Sequence, residues 1–174
     1  MTLSIRAFAG FVLAVSAAVL GAALLSQYWG GLAPCELCLL QRWPWAVAIV
    51  ISLVAVLVGD RPGLPWVALI LGLVFAAGVV FAFYHVGVEQ HWFAGPVACT
   101  ASTGAMTLEE MKRQIIGTAP VLCDRPAWTL FGVSMAGFNL LASLIMAAIC
   151  FLVFARARRP ATAPARTRIR RGAV

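Results

Sequence analysis

Five cysteines carry the most visible chemistry in this chain. Cys35 and Cys38 form a C-x-x-C, Cys99 and Cys123 stand 24 positions apart, and Cys150 lies between Ile149 and Phe151. A C-x-x-C ring is very small, so as a staple it removes little loop entropy from the unfolded chain. Such rings are common where a disulfide must open and close. Pro34 suits the first turn of a helix, because it has no N–H to waste there. Both sulfurs would then sit at the positive end of a helix dipole, which stabilises a thiolate, the nucleophile and electron donor. Two other uses stay open: a structural staple, and a four-thiolate zinc site with Cys99 and Cys123. Zinc sites usually offer two close pairs, and Cys99/Cys123 is not one. Cys150, between apolar neighbours, reads as a small core filler.

Arg42 follows Cys38 by four residues, one helical turn, so the two share a face. A guanidinium there would favour a Cys38 thiolate and could bind an oxygen of a ligand that becomes anionic. The competing reading is an arginine that snorkels to the headgroups. His85 is the histidine placed near a helical span. It could hydrogen-bond a carbonyl ligand or shuttle protons, or sit at the interface with no role. Asn139 reads as an interhelical hydrogen-bonding residue.

These residues need elements to hold them, and composition says which. The chain has 174 residues, 63% hydrophobic and 11% charged, more apolar surface than a soluble domain of this size can hide. Crossing the ~30 Å hydrocarbon core takes about 20 apolar residues. Four stretches qualify: Ala7 to Leu25, Cys38 to Val58, Pro65 to Val86, and Ala127 to Phe154. The first is expected to stay uncleaved, since its apolar run is long and no convincing small-x-small cleavage site precedes polar sequence. The expected fold is an all-α membrane protein, a four-transmembrane-helix bundle, as one redox domain over residues 1–155. A basic tail, 156–174, is expected to be disordered.

Charge sets the orientation. Arg6, Arg61 and the tail arginines fall on one side. Lys112, Arg113 and Arg125 lie on the other, diluted by Glu109, Glu110 and Asp124. The positive-inside rule puts both termini in the cytoplasm and two loops, 26–37 and 87–126, outside. The net charge of +7 does not point to nucleic acid. Arg156, Arg158, Arg159, Arg166, Arg168, Arg170 and Arg171 crowd directly after an apolar helix, a pattern that faces anionic lipid. In the second outer loop, Thr107-Leu108-Glu109-Glu110 has the form of a capping box. Leu108, Met111 and Ile115 at helical spacing predict a short surface helix. The tryptophans at 29, 43, 45, 66, 92 and 128 all fall near expected helix ends and read as an aromatic belt. The cysteines at 35, 38, 99 and 123 then lie outside the cytosol, where two disulfides are the default.

Pro34-Cys35-Glu36-Leu37-Cys38-Leu39-Leu40-Gln41-Arg42, and Cys123-Asp124-Arg125-Pro126-Ala127-Trp128 leading into the last helix, resemble the disulfide bond formation protein B (DsbB) family. With four helices and four cysteines in order, the resemblance spans about residues 6–155. It implies a thiol:quinone oxidoreductase of the bacterial inner membrane. The partner would be a thioredoxin-like periplasmic dithiol protein, DsbA-like, and the acceptor a membrane quinone, ubiquinone or menaquinone. On this reading Cys99–Cys123 oxidises the partner, with Cys99 attacked first. Cys123 then attacks Cys35, and Cys38 donates to quinone beside Arg42, with His85 as a second quinone-side residue and no metal. Glu36 between the cysteines is more acidic than expected and could raise the pKa of either thiol. The alternatives are a vitamin K epoxide reductase-like thiol enzyme, which usually carries a fifth helix, and a non-catalytic scaffold with stapled loops.

Side-specific thiol labelling of single-cysteine variants tests the orientation. Labels at positions 35, 38, 99 and 123 should react from outside and a label in the tail only from the cytoplasm. A tail reached from outside would place the cysteines in a reducing compartment and remove the redox reading.

Overall fold

The computed structural model describes residues 4–59, 63–96 and 121–158, together with Leu108, Glu109 and Lys112. It contains α1 (Ile5–Tyr28), α2 (Glu36–Leu40), α3 (Arg42–Val58), α4 (Leu64–Glu89), a two-stranded antiparallel hairpin of β1 (Thr129–Leu130) and β2 (Val133–Ser134), and α5 (Met135–Ala157). Four helical spans are long and apolar enough to cross a membrane: α1, α2 with α3, α4, and α5. The chain is a multi-pass membrane protein with a four-helix bundle.

Each start and stop has a local cause. Ser4 caps α1, its Oγ accepting from Ala7 N, and Ser134 caps α5 by accepting from Gly137 N. Either serine oxygen satisfies an N–H that a helix start leaves without a partner. The second span is interrupted at Gln41, between α2 and α3. Pro44 explains the break, because proline has no N–H for the Leu40 carbonyl and its ring crowds that oxygen. Gly59 ends α3 at φ +80°, a conformation that favours glycine.

The core runs along the bundle axis. Phe8 and Val12 of α1 meet Trp45 and Ala48 of α3, Leu71 and Phe75 of α4, and Met146, Ala147 and Cys150 of α5. Trp45 and Phe75 stack edge to face, centroids 5.2 Å apart. The most extensive helix pairings are α4 on α5 and α1 on α3. Small residues make close approach possible, as lipid-embedded helices require. At Gly78 an added Cβ would lie 3.2 Å from Ser143 Oγ and 3.3 Å from Pro44 Cβ, so three helices converge there. At one end of the bundle Arg6 lies against Gly59, and Arg158 sits 6.0 Å from the Trp66 ring centroid. Cys35, Cys38 and Cys123 lie at the other.

Several expectations change. The last helix begins at Met135, not near Ala127, because Phe131 (φ 50°) and Gly132 (φ 79°) turn the chain into the hairpin first. Arg156, assigned to a disordered tail, is helical, since α5 continues to Ala157. Trp45 is no belt residue: it is 2% exposed and its Nε1 donates to Asn139 Oδ1 at 2.7 Å. The other five tryptophans are exposed, as a belt requires. Of the surface helix, Leu108, Glu109 and Lys112 are helical, and the rest of that segment lies outside the described residues, as does residue 159 onward.

Core and lipid faces should respond differently to truncation. Phe75→Ala, at a fully buried position, should cost about 3–5 kcal/mol. Leu57→Ala, 73% exposed on the lipid side, should cost under about 0.5 kcal/mol. Unfolding titrations in mixed micelles measure both, and equal losses would contradict this core.

Candidate redox site

α2 leads into α3 through Gln41, with Cys35 at its head. Cys35 is the N-cap residue, and its Sγ accepts from Cys38 N at 3.2 Å. Pro34 therefore stands one residue before the cap and not in the first turn. The sulfur takes the place of the usual serine or aspartate oxygen, facing the positive end of the helix.

Cys35 and Cys38 are free thiols, although both were expected to be oxidised. Their sulfurs lie 2.8 Å apart with Cys35 donating to Cys38. Closing that gap to about 2.05 Å would make the S–S bond. The hydrogen bond to Cys38 and burial hold the proton on Cys35 and push its pKa above the ordinary thiol range. Cys123 is disulfide-bonded, which takes its sulfur out of any four-thiolate zinc site. Cys99, the partner implied by the resemblance, lies outside the described residues. Cys123 is fully buried and packs in one cluster with Cys35, Leu37 and Val88, against Cys38 and Tyr84. The two cysteine loops therefore meet. Cys150 is remote from them, fully buried in the bundle core, as a filler should be.

Cys38 also opens onto the other side. It lines a cavity of about 640 Å3 between α1, α3, α5 and the hairpin. Val19, Leu20, Leu32, Trp128, Phe138 and Ala142 give apolar walls, and the polar residues among them are Ser26, Cys38, Gln41, Arg42 and Asn139. A mostly apolar cavity of this size with a few convergent polar groups suits a flat, lipid-soluble ligand. Arg42 is half-buried, and its Nη1 donates to Gln27 Oε1 at 2.6 Å. That contact holds the guanidinium on the cavity wall.

His85 does not line this cavity. It is 3% exposed and faces Cys35, with Nε2 3.7 Å from Cys35 Sγ and 3.9 Å from Glu89 Oε1. Its Nδ1 meets Gln41 Nε2 at 2.5 Å, and the Cys123 backbone also hydrogen-bonds the ring. Gln41 Oε1 accepts from Asn139 Nδ2 at 2.5 Å, and Ser134 Oγ donates to Glu89 Oε2 at 2.5 Å. The predicted interhelical role of Asn139 is thus seen, with Trp45 as its second partner. Glu36, between the cysteines, is exposed. The buried carboxyl near the thiols is that of Glu89.

Gln27, Gln41, Glu89 and Ser134 were not singled out from sequence. Gln41 carried a signal, a polar residue deep in an apolar span beside Arg42. Glu89 is one turn beyond His85, but the third span was expected to end at Val86, which put it in a loop. Ser134 and Gln27 had no distinguishing pattern.

The chain matches the family model described as "Disulfide bond formation protein DsbB" over residues 5–153. It is 30% identical to disulfide bond formation protein B of Stutzerimonas stutzeri over 141 residues, 78% of this chain and 85% of that one. It is 31% identical to the protein of that name from Methylococcus capsulatus over 149 residues, 82% and 90% of the two chains. The Aromatoleum aromaticum protein of the same name is 29% identical over 166 residues, 89% and 95%. No solved structure matches significantly.

The two thiols should be chemically distinct. A raised Cys35 pKa means that this thiol stays protonated, and slow to alkylate, through and above the usual range near ~8.5. Brief alkylation of the reduced protein at pH 7–8, read by mass spectrometry, should therefore modify Cys38 first. Equal rates at both sulfurs would contradict the hydrogen-bonded arrangement.

Proposed function

This chain belongs to the disulfide bond formation protein B family, and from that premise we propose that it takes electrons from a periplasmic thioredoxin-like dithiol protein and passes them to a membrane quinone, ubiquinone or menaquinone. The observation that carries the proposal is Cys38 beside Arg42 on the wall of the apolar cavity, with Cys35 turned toward Cys123. One dithiol faces both a lipid-accessible pocket and the other cysteine loop.

The sequence of exchanges is as follows. A partner thiolate attacks Cys99, forming a mixed disulfide and releasing Cys123 as the leaving thiolate. The partner's second thiol then displaces Cys99 and leaves the partner oxidised. Cys123 attacks Cys35 of an oxidised Cys35–Cys38 pair, and Cys38 leaves as a thiolate. Cys99 attacks Cys123 in turn, which restores the Cys99–Cys123 bond and frees Cys35. Re-forming the Cys35–Cys38 disulfide releases two electrons and two protons, and a quinone, when bound, supplies the acceptor for both. In sum, one partner dithiol becomes a disulfide and one quinone becomes a quinol.

The residues of the chain set the conditions for the last step. Arg42, held by Gln27, places a permanent cation where negative charge would grow on a ring oxygen. In a medium of low dielectric a fixed cation stabilises that charge more than water could. The apolar walls orient a flat ring and exclude water. His85 belongs to the dithiol side of the site, acting on Cys35. The compartments follow from the charge asymmetry: an inner-membrane protein, redox loops in the periplasm, both termini cytoplasmic.

Quinone-dependent turnover against quinone concentration tests this. Arg42→Met should lower the apparent affinity and the rate by about 10- to 150-fold, the scale of one lost charged hydrogen bond at about 1.5–3 kcal/mol. Arg42→Lys should rescue in part, because lysine can lose its proton at this depth. Cys99→Ser and Cys123→Ser should stop turnover with the protein partner yet leave Cys35/Cys38 able to react with quinone. Unchanged kinetics in Arg42→Met, or purified protein that reduces no quinone, would overturn the proposal in favour of a stapled scaffold.

A further inference from the structure

The polar side chains behind the dithiol form one continuous row, and its first member fixes the direction of all the others. Trp45 Nε1–H can only donate. It lies 2.7 Å from Asn139 Oδ1, so the carbonyl end of that amide must face the indole. The Asn139 amino end must then face Gln41, which it does at 2.5 Å from Oε1. Gln41 in turn presents its own amino end, Nε2, to His85 Nδ1 at 2.5 Å. An amide N–H can only donate, so Nδ1 must accept and carries no proton. A neutral imidazole with a bare Nδ1 has its hydrogen on Nε2, the nitrogen 3.7 Å from Cys35 Sγ.

We propose that Trp45, Asn139 and Gln41 are positioning residues that lock His85 in the Nε2–H tautomer, making it a hydrogen-bond donor to Cys35 and not a base that removes the Cys35 proton. Side-chain amides are ambiguous end for end when read alone. Here the ambiguity is removed by an indole that has no second way to bond. Every link then points the same way: Trp45 to Asn139, Asn139 to Gln41, Gln41 to His85, His85 to Cys35, and Cys35 to Cys38 at 2.8 Å. Bonds in such a row polarise one another, and the effect accumulates at the last acceptor. That acceptor is Cys38, the sulfur on the cavity wall.

The surroundings fit a donor at Nε2. The Cys123 backbone, which also hydrogen-bonds the ring, and Glu89 Oε1, 3.9 Å away, offer the same N–H further acceptors beside Cys35, and Glu89 is itself held by Ser134 through its other oxygen. In the reaction proposed above, on which this inference rests, negative charge passes through Cys35 when Cys99 displaces it from Cys123. A fixed N–H facing Cys35 stabilises that leaving sulfur. The proton balance of the step is unaltered, because His85 neither gains nor loses a proton in it.

The tautomer can be read directly, without turnover. The chain has two histidines, and His91 is exposed, so a His91→Gln background leaves a single imidazole. Histidine labelled with 13C and 15N, in reduced protein in lipid nanodiscs, distinguishes Nε2–H from Nδ1–H by ring shifts. The expected wild-type signal is Nε2–H alone. Gln41→Met removes the donor to Nδ1, and Trp45→Phe removes the anchor of the row. Either should bring in an Nδ1–H population and slow Cys38 alkylation about tenfold, the scale of one hydrogen bond to a charged group. If Trp45→Phe fails to fold, Gln41→Met still decides. Nδ1–H in the parent protein, or an unmixed Nε2–H signal in both variants, would overturn the proposal. Failure of quinone reduction in the parent would instead remove the function proposed above and leave the tautomer result standing.

Discussion

Gln41 is the residue on which the site depends. Its amide is 6% exposed in a bundle surrounded by hydrocarbon, where an unpaired polar group costs several kcal/mol. Both ends must find partners, and they do so on two different helices, at Asn139 of α5 and His85 of α4. Gln41 also sits at the interruption between α2 and α3, three residues before Pro44. Its amide therefore ties the thiol-bearing end of the second span to α4, which carries the imidazole, and to α5, which carries part of the cavity wall.

The dithiol gains two unlike environments from this placement. On one side Cys35 is buried with Cys123 and Val88. On the other, Cys38 reaches a cavity whose charged residue is Arg42. In the proposed reaction, two sulfurs 2.8 Å apart would separate exchange between thiols from contact with an apolar guest. The helix dipole, the N-cap geometry and the Cys35 proton all act on this one pair of atoms.

Much of this was legible in the residues. The four spans followed from apolar run length, and the membership of the family from Cys35, Cys38, Arg42, Cys99 and Cys123 in order. Arg42 was found from one helical turn of spacing. What sequence could not supply was side-chain pairing across helices. Trp45 looked like its five belt neighbours, because nearness to a helix end is all that a sequence reports. Its place in the core is decided by Phe75 and Asn139, which are 30 and 94 positions away. His85 was read as a quinone-side residue, and its contacts with Cys35 and Gln41 were not legible, since nothing in its neighbours says which way a ring turns. Glu89 escaped because the span was expected to stop at Val86, while the helix continues to a carboxyl that accepts from Ser134. The hairpin before α5 was hidden by Ala127 and Trp128, which extend an apolar pattern that the backbone does not follow.

The cavity lies between α1 and α5, and those two helices are not among the closely packed pairs of the bundle. A gap between two lipid-facing helices is a side door. In the proposed reaction, a guest dissolved in the bilayer would meet Cys38 by diffusion in a plane, without passing through water. Its supply would be set by mole fraction among lipids and by membrane viscosity, while the opposite face of the same dithiol would be fed from solution. The rate would then be governed by two reservoirs of different dimensionality.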